Sequence, residues 1–214
     1  MKMLKMAMVF LADVFAKRSV IYELAKRDFK KEYMGSYLGF VWMFIEPLLY
    51  IFIIYSVFSL GFRNRADVGS IPFVLYLITG IISWQYFSKS FNAITSVIRG
   101  YGFLVNKVDF RLSILPIVTM MKNLPPHFFL LVIAIIISWI RGFAPSLYTF
   151  QVLYYLFAML ALLLGLGWLT SSTSLFVSDV KNLVKVSIQF GFWLTPIIWN
   201  LENIPSQYRW IVSL

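Results

Sequence analysis

The chain has 214 residues, of which 60% are hydrophobic, 19% aromatic and only 13% charged, with a formal net charge of +10. Soluble domains are about half apolar and about a quarter charged, and disordered chains have few aromatic residues, so this composition disfavours the first and excludes the second. The absence of cysteine excludes a disulfide scaffold and a Cys-ligated zinc site. The apolar fraction points to lipid as the solvent, and the apolar segments described below predict an all-α integral membrane protein.

The first predicted element is a basic, amphipathic segment, residues 1–34. Between Ser19 and Tyr33, apolar residues recur near helical spacing and charged residues fill the other face, with Ser19 as a candidate N-cap. Such a helix is expected to lie in the membrane interface, where it serves as an anchor or as a docking surface for a cytoplasmic partner. The residues alone leave both roles open.

A membrane domain follows over residues 35–214, because several apolar segments approach the roughly 20 residues that a spanning helix needs. We predict five spans, at about 37–60, 68–88, 112–140, 150–172 and 186–201. The uncharged run 142–178 would form a helix of about 55 Å, against a hydrocarbon core of about 30 Å. One span with a polar continuation is preferred there over two spans.

The distribution of Lys and Arg predicts the orientation of these spans. With the N-terminus inside, the inner segments hold 14 of the 19 cations and the outer segments hold four. Cations favour the cytoplasmic side of a membrane. We therefore expect a multi-pass protein of the cytoplasmic membrane with a cytoplasmic N-terminus, whose basic excess serves topology and lipid contact and not nucleic-acid binding.

The inner loop 89–111 is too long for a simple connection, and it mixes charged with apolar side chains. Apolar residues in a loop between spans suggest packing against membrane or protein. A short helix there would transmit motion from a cytoplasmic motor into the spans.

Two polar residues inside the spans are candidates for chemistry. Glu46, beside Pro47 in the first span, is costly in lipid, which predicts an ion or proton site, a partner for Lys122, or an acid facing a water-filled cavity. His127 follows a predicted helix break at Pro125–Pro126 and is the only histidine, so no metal cluster can form around it. No glycine is followed by lysine, which excludes a Walker-type phosphate loop.

Four stretches of the chain together carry a family resemblance. They are KKEYMGSYLGFVWMFIEPLLY (30–50), SIPFVLYLITGIISWQYFSKSFNA (70–93), FLVNKVDFRLSILPIV (103–118) and SLFVSDVKNLVKVSIQFGFWLTPIIW (174–199). In order and spacing they resemble the permease subunits of ABC exporters for lipid-linked polysaccharides, the Wzm/TagG type, which move O-antigen, capsule or teichoic acid. That family normally has six spans, and the resemblance implies that the last is missing from this sequence.

The resemblance implies an ABC-2-type exporter transmembrane domain that forms a homodimer and pairs with two copies of a separate ATP-binding subunit. ATP and magnesium would bind in that subunit, leaving this chain without a cofactor, a metal or a catalytic residue. It also implies ATPase-coupling residues on an interface helix and in a coupling helix: Ile21, Leu24, Arg27, Phe29 and Lys30, then Arg99, Tyr101, Phe103, Lys107, Asp109 and Arg111. The translocation path would include Trp42, Glu46, Trp84, Tyr86, Phe87 and Trp193.

Two other functions remain as alternatives. An ion- or proton-coupled secondary carrier would use Glu46, but it is expected to show inverted repeats, which we do not find between 37–91 and 123–201. A membrane-embedded glycosyl- or acyltransferase would need an acid or histidine near an interface, and His127 and Asp109 are isolated.

Overall fold

The computed structural model describes residues 9–10, 12–33, 37–61, 72–102 and 111–199. Their regular structure is helical, as the composition predicts: α1 (Arg18–Tyr33), α2 (Trp42–Gly61), α3 (Phe73–Gly100), α4 (Leu115–Ile140), α5 (Gln151–Phe176) and α6 (Val180–Leu194). Short 3₁₀ turns precede three of them, at Gly39–Val41, Leu112–Ile114 and Leu147–Phe150. The all-α class is thereby confirmed.

Two helical segments in the described ranges have the length and composition to cross a membrane. Leu112–Ile140 has 29 residues and Leu147–Phe176 has 30. The second lies within the uncharged run 142–178, which therefore contains one long helix. Gly39–Ile54 is apolar but shorter, so the count of five spans stays a prediction.

The predicted boundaries of α3 and α6 are wrong. Residues 89–100, predicted as part of a loop, continue α3, because Ile94, Val97 and Ile98 keep a buried face at helical spacing beyond Lys89. The helix predicted over 186–201 ends at Leu194. Thr195 is extended, with φ −79° and ψ 143°, as the residue before a proline prefers, and Pro196 follows it.

Two further local predictions are also wrong. Ser19 is not an N-cap, because α1 begins one residue earlier, at Arg18. Residues 12–16 before it are also helical, and the Lys17 N–H donates to the carbonyl of Asp13 at 2.9 Å. Pro125 and Pro126 lie inside α4, which continues to Ile140. Prolines are tolerated within membrane helices because neighbouring groups satisfy the freed backbone.

The centre of the fold is α3, which packs against α2, α4, α5 and α6. Ile94 and Leu163 are fully buried between α3 and α5. A polar ladder joins the same two helices, because Thr95 Oγ1 donates to Thr170 Oγ1 at 3.1 Å and Ser174 Oγ donates to the Thr95 carbonyl at 2.6 Å. Small polar residues let membrane helices approach closely.

Gly167 marks the closest approach of α5 to α3. A Cβ added there would lie 2.6 Å from Ile94 Cγ2, whereas one added at Gly165 would meet nothing within 4 Å. We expect Gly167→Ala to destabilise the protein by about 1–3 kcal/mol through overpacking. Thermal unfolding in detergent should show a lower midpoint for Gly167→Ala and no loss for Gly165→Ala, and equal midpoints would contradict this packing.

Candidate functional site

A cavity of about 680 Å³ lies between α2, α3, α4 and α6, beside the end of α1. Four of the residues predicted for the translocation path line it: Glu46, Trp84, Tyr86 and Trp193. Trp42 and Phe87 are not among its lining residues. Trp42 is exposed at the start of α2, and Phe87 packs against the core beside Phe91.

The aromatic side of the cavity depends on α3 and α6. The Trp84 ring lies 5.9 Å from that of Phe192, and a Cβ at Gly191 would lie 2.9 Å from Trp84. Trp193, on the next position of α6, is largely exposed. Indole and phenyl faces of this kind present flat apolar surfaces beside the polar lining of the cavity.

Tyr86 and His127 form the buried wall of the cavity. Tyr86 Oη donates to the Met120 carbonyl at 3.2 Å, and its ring lies 4.6 Å from the His127 ring. His127 is buried, and its Nδ1 has no hydrogen-bond partner in the described structure. The lining also includes several polar side chains: Gln85, Ser88, Lys89, Asn92, Asn123 and Gln189.

Glu46 lies in this cavity without an ion-pair partner among the described residues. The predicted pair with Lys122 is wrong, because the Lys122 ammonium lies 2.7 Å from Glu32. This placement fits the predicted acid facing a cavity, and the ion or proton site stays a prediction.

The apolar face of α1 packs onto the start of α4. Ile21 and Ala25 are buried against Ile114 and Val118, with Leu24 partly buried beside them. Ile21 and Leu24, predicted as coupling residues, are therefore turned toward the chain's own helices.

The other predicted coupling residues on α1 differ in their exposure. Phe29 is half-buried, with its ring 5.1 Å from Tyr33 and 5.7 Å from Phe40. Arg27 and Lys30 are exposed on the surface of α1.

The end of α3 contacts α1 through Tyr101. Its hydroxyl donates to the Asp28 carboxylate and lies 3.1 Å from the Arg27 guanidinium. Burial and the adjacent Asp28 carboxylate raise the pKa of Tyr101 to about 12, so the phenol stays protonated at neutral pH. Arg99 is exposed and donates to the Leu175 carbonyl at 3.3 Å.

The rest of the predicted coupling helix is only partly described. Arg111 pairs with Asp13 and so holds the start of α4 to the N-terminal segment. Phe103, Lys107 and Asp109 lie outside the described residues.

Sequence reasoning missed one ion cluster, formed by Glu32, Lys89 and Lys122. Glu32 lies 2.8 Å from the Lys89 ammonium and 2.7 Å from that of Lys122. Burial alone would raise the pKa of Glu32, but hydrogen bonds from both lysines outweigh it and hold the pKa below its usual value. The spacing of charged residues could have indicated this cluster. Asp28 and Glu32 fall seven residues after Ile21 and Ala25 and so continue the stripe of α1 that faces the spans.

The described residues contain no group of three or more His, Asp or Glu side chains placed to hold a metal ion. The cavity instead offers stacking surfaces and hydrogen-bonding groups. Such a lining can bind and pass a polar ligand without a covalent step.

Comparison with known proteins gives one family and several relatives. The model of the ABC-2 type transporter family matches residues 19–214. An O-antigen export system permease protein from Klebsiella pneumoniae is 31% identical over 196 residues, covering 89% of this chain and 72% of the relative. One from Myxococcus xanthus is 24% identical, with coverage of 91% and 74%. A polysialic acid transport protein from Escherichia coli is 19% identical, with coverage of 90% and 74%.

Proposed function

The chain belongs to the ABC-2 type transporter family, and on that basis we propose that it is the membrane permease of an ATP-driven exporter for a lipid-linked cell-surface polysaccharide. Relatives named for O-antigen export and for polysialic acid transport support this substrate class. Teichoic acid, O-antigen and capsule are the candidate cargoes.

The observation that carries the proposal is the cavity of about 680 Å³, with Trp84 and Trp193 beside polar side chains. Sugars present apolar C–H faces and a rim of hydroxyls, and aromatic rings with nearby hydrogen-bonding groups complement both. The cavity is partly open and not fully enclosed. A membrane groove of this shape suits a long polymer with a lipid end better than an enclosed pocket does.

The energy source in this proposal is a separate ATP-binding subunit, which holds ATP and magnesium. The absence of a Walker-type phosphate loop from the sequence supports that division. The subunit would dock near α1, where Lys26, Lys30 and Lys31 are exposed on the surface. Two copies of the chain with two ATP-binding subunits form the proposed assembly, with the N-terminus cytoplasmic because the cations concentrate on that side.

Co-purification tests this assembly directly. A tagged chain solubilised from its native membrane should recover an ATP-binding subunit in a 1:1 ratio, because each permease copy would hold one. The same tag on an unrelated multi-pass protein provides the control. Recovery of the chain alone, under detergent conditions that preserve other ABC complexes, would count against the proposal.

Glu46 separates the exporter from the alternative of a proton- or ion-coupled carrier. Glu46 lines the cavity without an ion pair to any described residue. We expect Glu46→Gln to retain ATP-dependent export, since the amide preserves shape and hydrogen bonding. A protonophore should leave export unchanged in both the unaltered chain and Glu46→Gln. Export that collapses with either change would favour the carrier.

A further inference from the structure

Two hollow regions of the protein meet at a single side chain. The first is the cavity described above, and the second is a pocket of about 670 Å³ on the side of α1. Glu32 lines both; Lys89 lines only the first and Lys122 only the second. The ion cluster of these three residues therefore lies between the two spaces.

The cluster joins three helices through one carboxylate. Glu32, on α1, contacts Lys89 of α3 through Oε1 at 2.8 Å and Lys122 of α4 through Oε2 at 2.7 Å. Tyr33, next to it on α1, accepts a hydrogen bond from Lys89 at 3.0 Å. Each oxygen of the carboxylate thus holds one ammonium group, and both contacts depend on the position of α1.

The ion cluster holds together only while Glu32 carries its negative charge. Lys89 and Lys122 both carry positive charge and face the same carboxylate, so removing its charge leaves two cations that repel each other. The three side chains are partly exposed, at 30%, 43% and 18% for Glu32, Lys89 and Lys122. Ion pairs with such access to solvent break at small cost, which suits a reversible barrier.

We propose that Glu32 is a gating residue: it closes the cavity toward the pocket beside α1, and displacement of α1 opens the passage between them. The gate rests on the proposed function in one respect, since it assigns the displacement of α1 to the ATP-binding subunit. Ile21 and Ala25 fasten α1 to α4 about two to three helical turns before Glu32. A rocking motion about that contact would withdraw the carboxylate from both lysines together.

Cysteine accessibility tests the gate, and the natural chain contains no cysteine. Ser88, which lines the cavity on α3, becomes the reporter through Ser88→Cys. A membrane-impermeant maleimide is added to membrane vesicles on the side where α1 lies. We expect Glu32→Gln to accelerate labelling up to about fivefold, the factor that corresponds to the roughly 1 kcal/mol that a solvent-accessible ion pair contributes. Glu23→Gln, a change of the same chemistry at an exposed position of α1, should leave the rate unchanged.

A second reporter and a second gate variant complete the test. Ser171→Cys lies in the core of α5, outside the cavity lining, and should stay slow in every variant. Lys122→Gln, which loosens the cluster from the α4 side, should also accelerate labelling at Ser88→Cys. Unchanged labelling in both gate variants would overturn the proposal, as would equal acceleration with Glu23→Gln or at Ser171→Cys.

The outcome is independent of the proposed function, because labelling requires neither ATP nor polysaccharide. If both gate variants are labelled as slowly as the chain with Glu32 and Lys122 intact, the gate is refuted and the proposed export function still stands. If labelling accelerates in the gate variants but the chain exports no polysaccharide, the gate is supported and the proposed export function is refuted.

Discussion

Replacing Ile21 by Asp should detach α1 from the membrane domain, and with it the ATP-binding subunit. Ile21 is only 3% exposed and packs against Ile114 and Val118, both fully buried. An uncompensated charge in such a site costs roughly 3–5 kcal/mol, and it would fall at the centre of the apolar contact between α1 and α4. We expect Ile21→Asp to reach the membrane, recover little ATP-binding subunit on purification and support no export.

The neighbouring residue provides the matched control. Val20 is 45% exposed on the same helix, so Val20→Asp adds the same charge without burying it. It should recover the ATP-binding subunit and export normally when both variants are compared at equal membrane levels. Equal behaviour of the two variants would show that the packing of α1 on α4 does not position the docking surface.

The second large effect is expected from filling the cavity. Ser88 lines it from α3, between Gln85 and Lys89. Ser88→Trp would place an indole in the cavity that we propose as the path of the polymer, and α3 should tolerate it because Ser88 is only half-buried beside that cavity. We expect export to fall to background while the ATP-binding subunit is still recovered.

Ser83, one and a half turns earlier on α3, is exposed and does not line the cavity. Ser83→Trp should therefore export at or near the rate of the unaltered protein. Measuring both variants as ATP-dependent uptake of polymer into vesicles separates a blocked path from a general effect of tryptophan on α3. Normal export by Ser88→Trp would place the path elsewhere.

Composition and periodicity predicted the helical class and the approximate position of each helix, because both depend on local sequence. The ends of the helices depend on tertiary contacts, which explains why some predicted boundaries were wrong. Lys89 looks like a stop for α3, yet it pairs with Glu32 and the helix continues to Gly100. Pro125 and Pro126 look like a break, yet α4 continues through them.

The residues of the candidate site likewise include some that were predicted from the sequence and some that were not. The family resemblance supplied the tryptophans of the predicted path, of which Trp84 and Trp193 line the cavity and Trp42 does not. Glu46 could be singled out from the sequence itself, because an acid is conspicuous in an apolar span. The ion cluster was not predicted, because pairing Glu32 with Lys89 and Lys122 requires knowing which helices are neighbours. Family resemblance predicted coupling roles for Ile21 and Tyr101, and the structure adds that both side chains contact the chain's own helices.

The most direct test of the central claim is ATP-dependent translocation by the purified complex. The chain and its ATP-binding subunit are reconstituted into proteoliposomes with a lipid-linked polysaccharide on the ATP side, and an added glycosidase digests whatever polymer stays outside. We expect ATP to protect the polymer, with no protection in the absence of ATP or of this chain, and no effect of a protonophore. Protection that requires an ion gradient and not ATP, or that persists without this chain, would contradict the account.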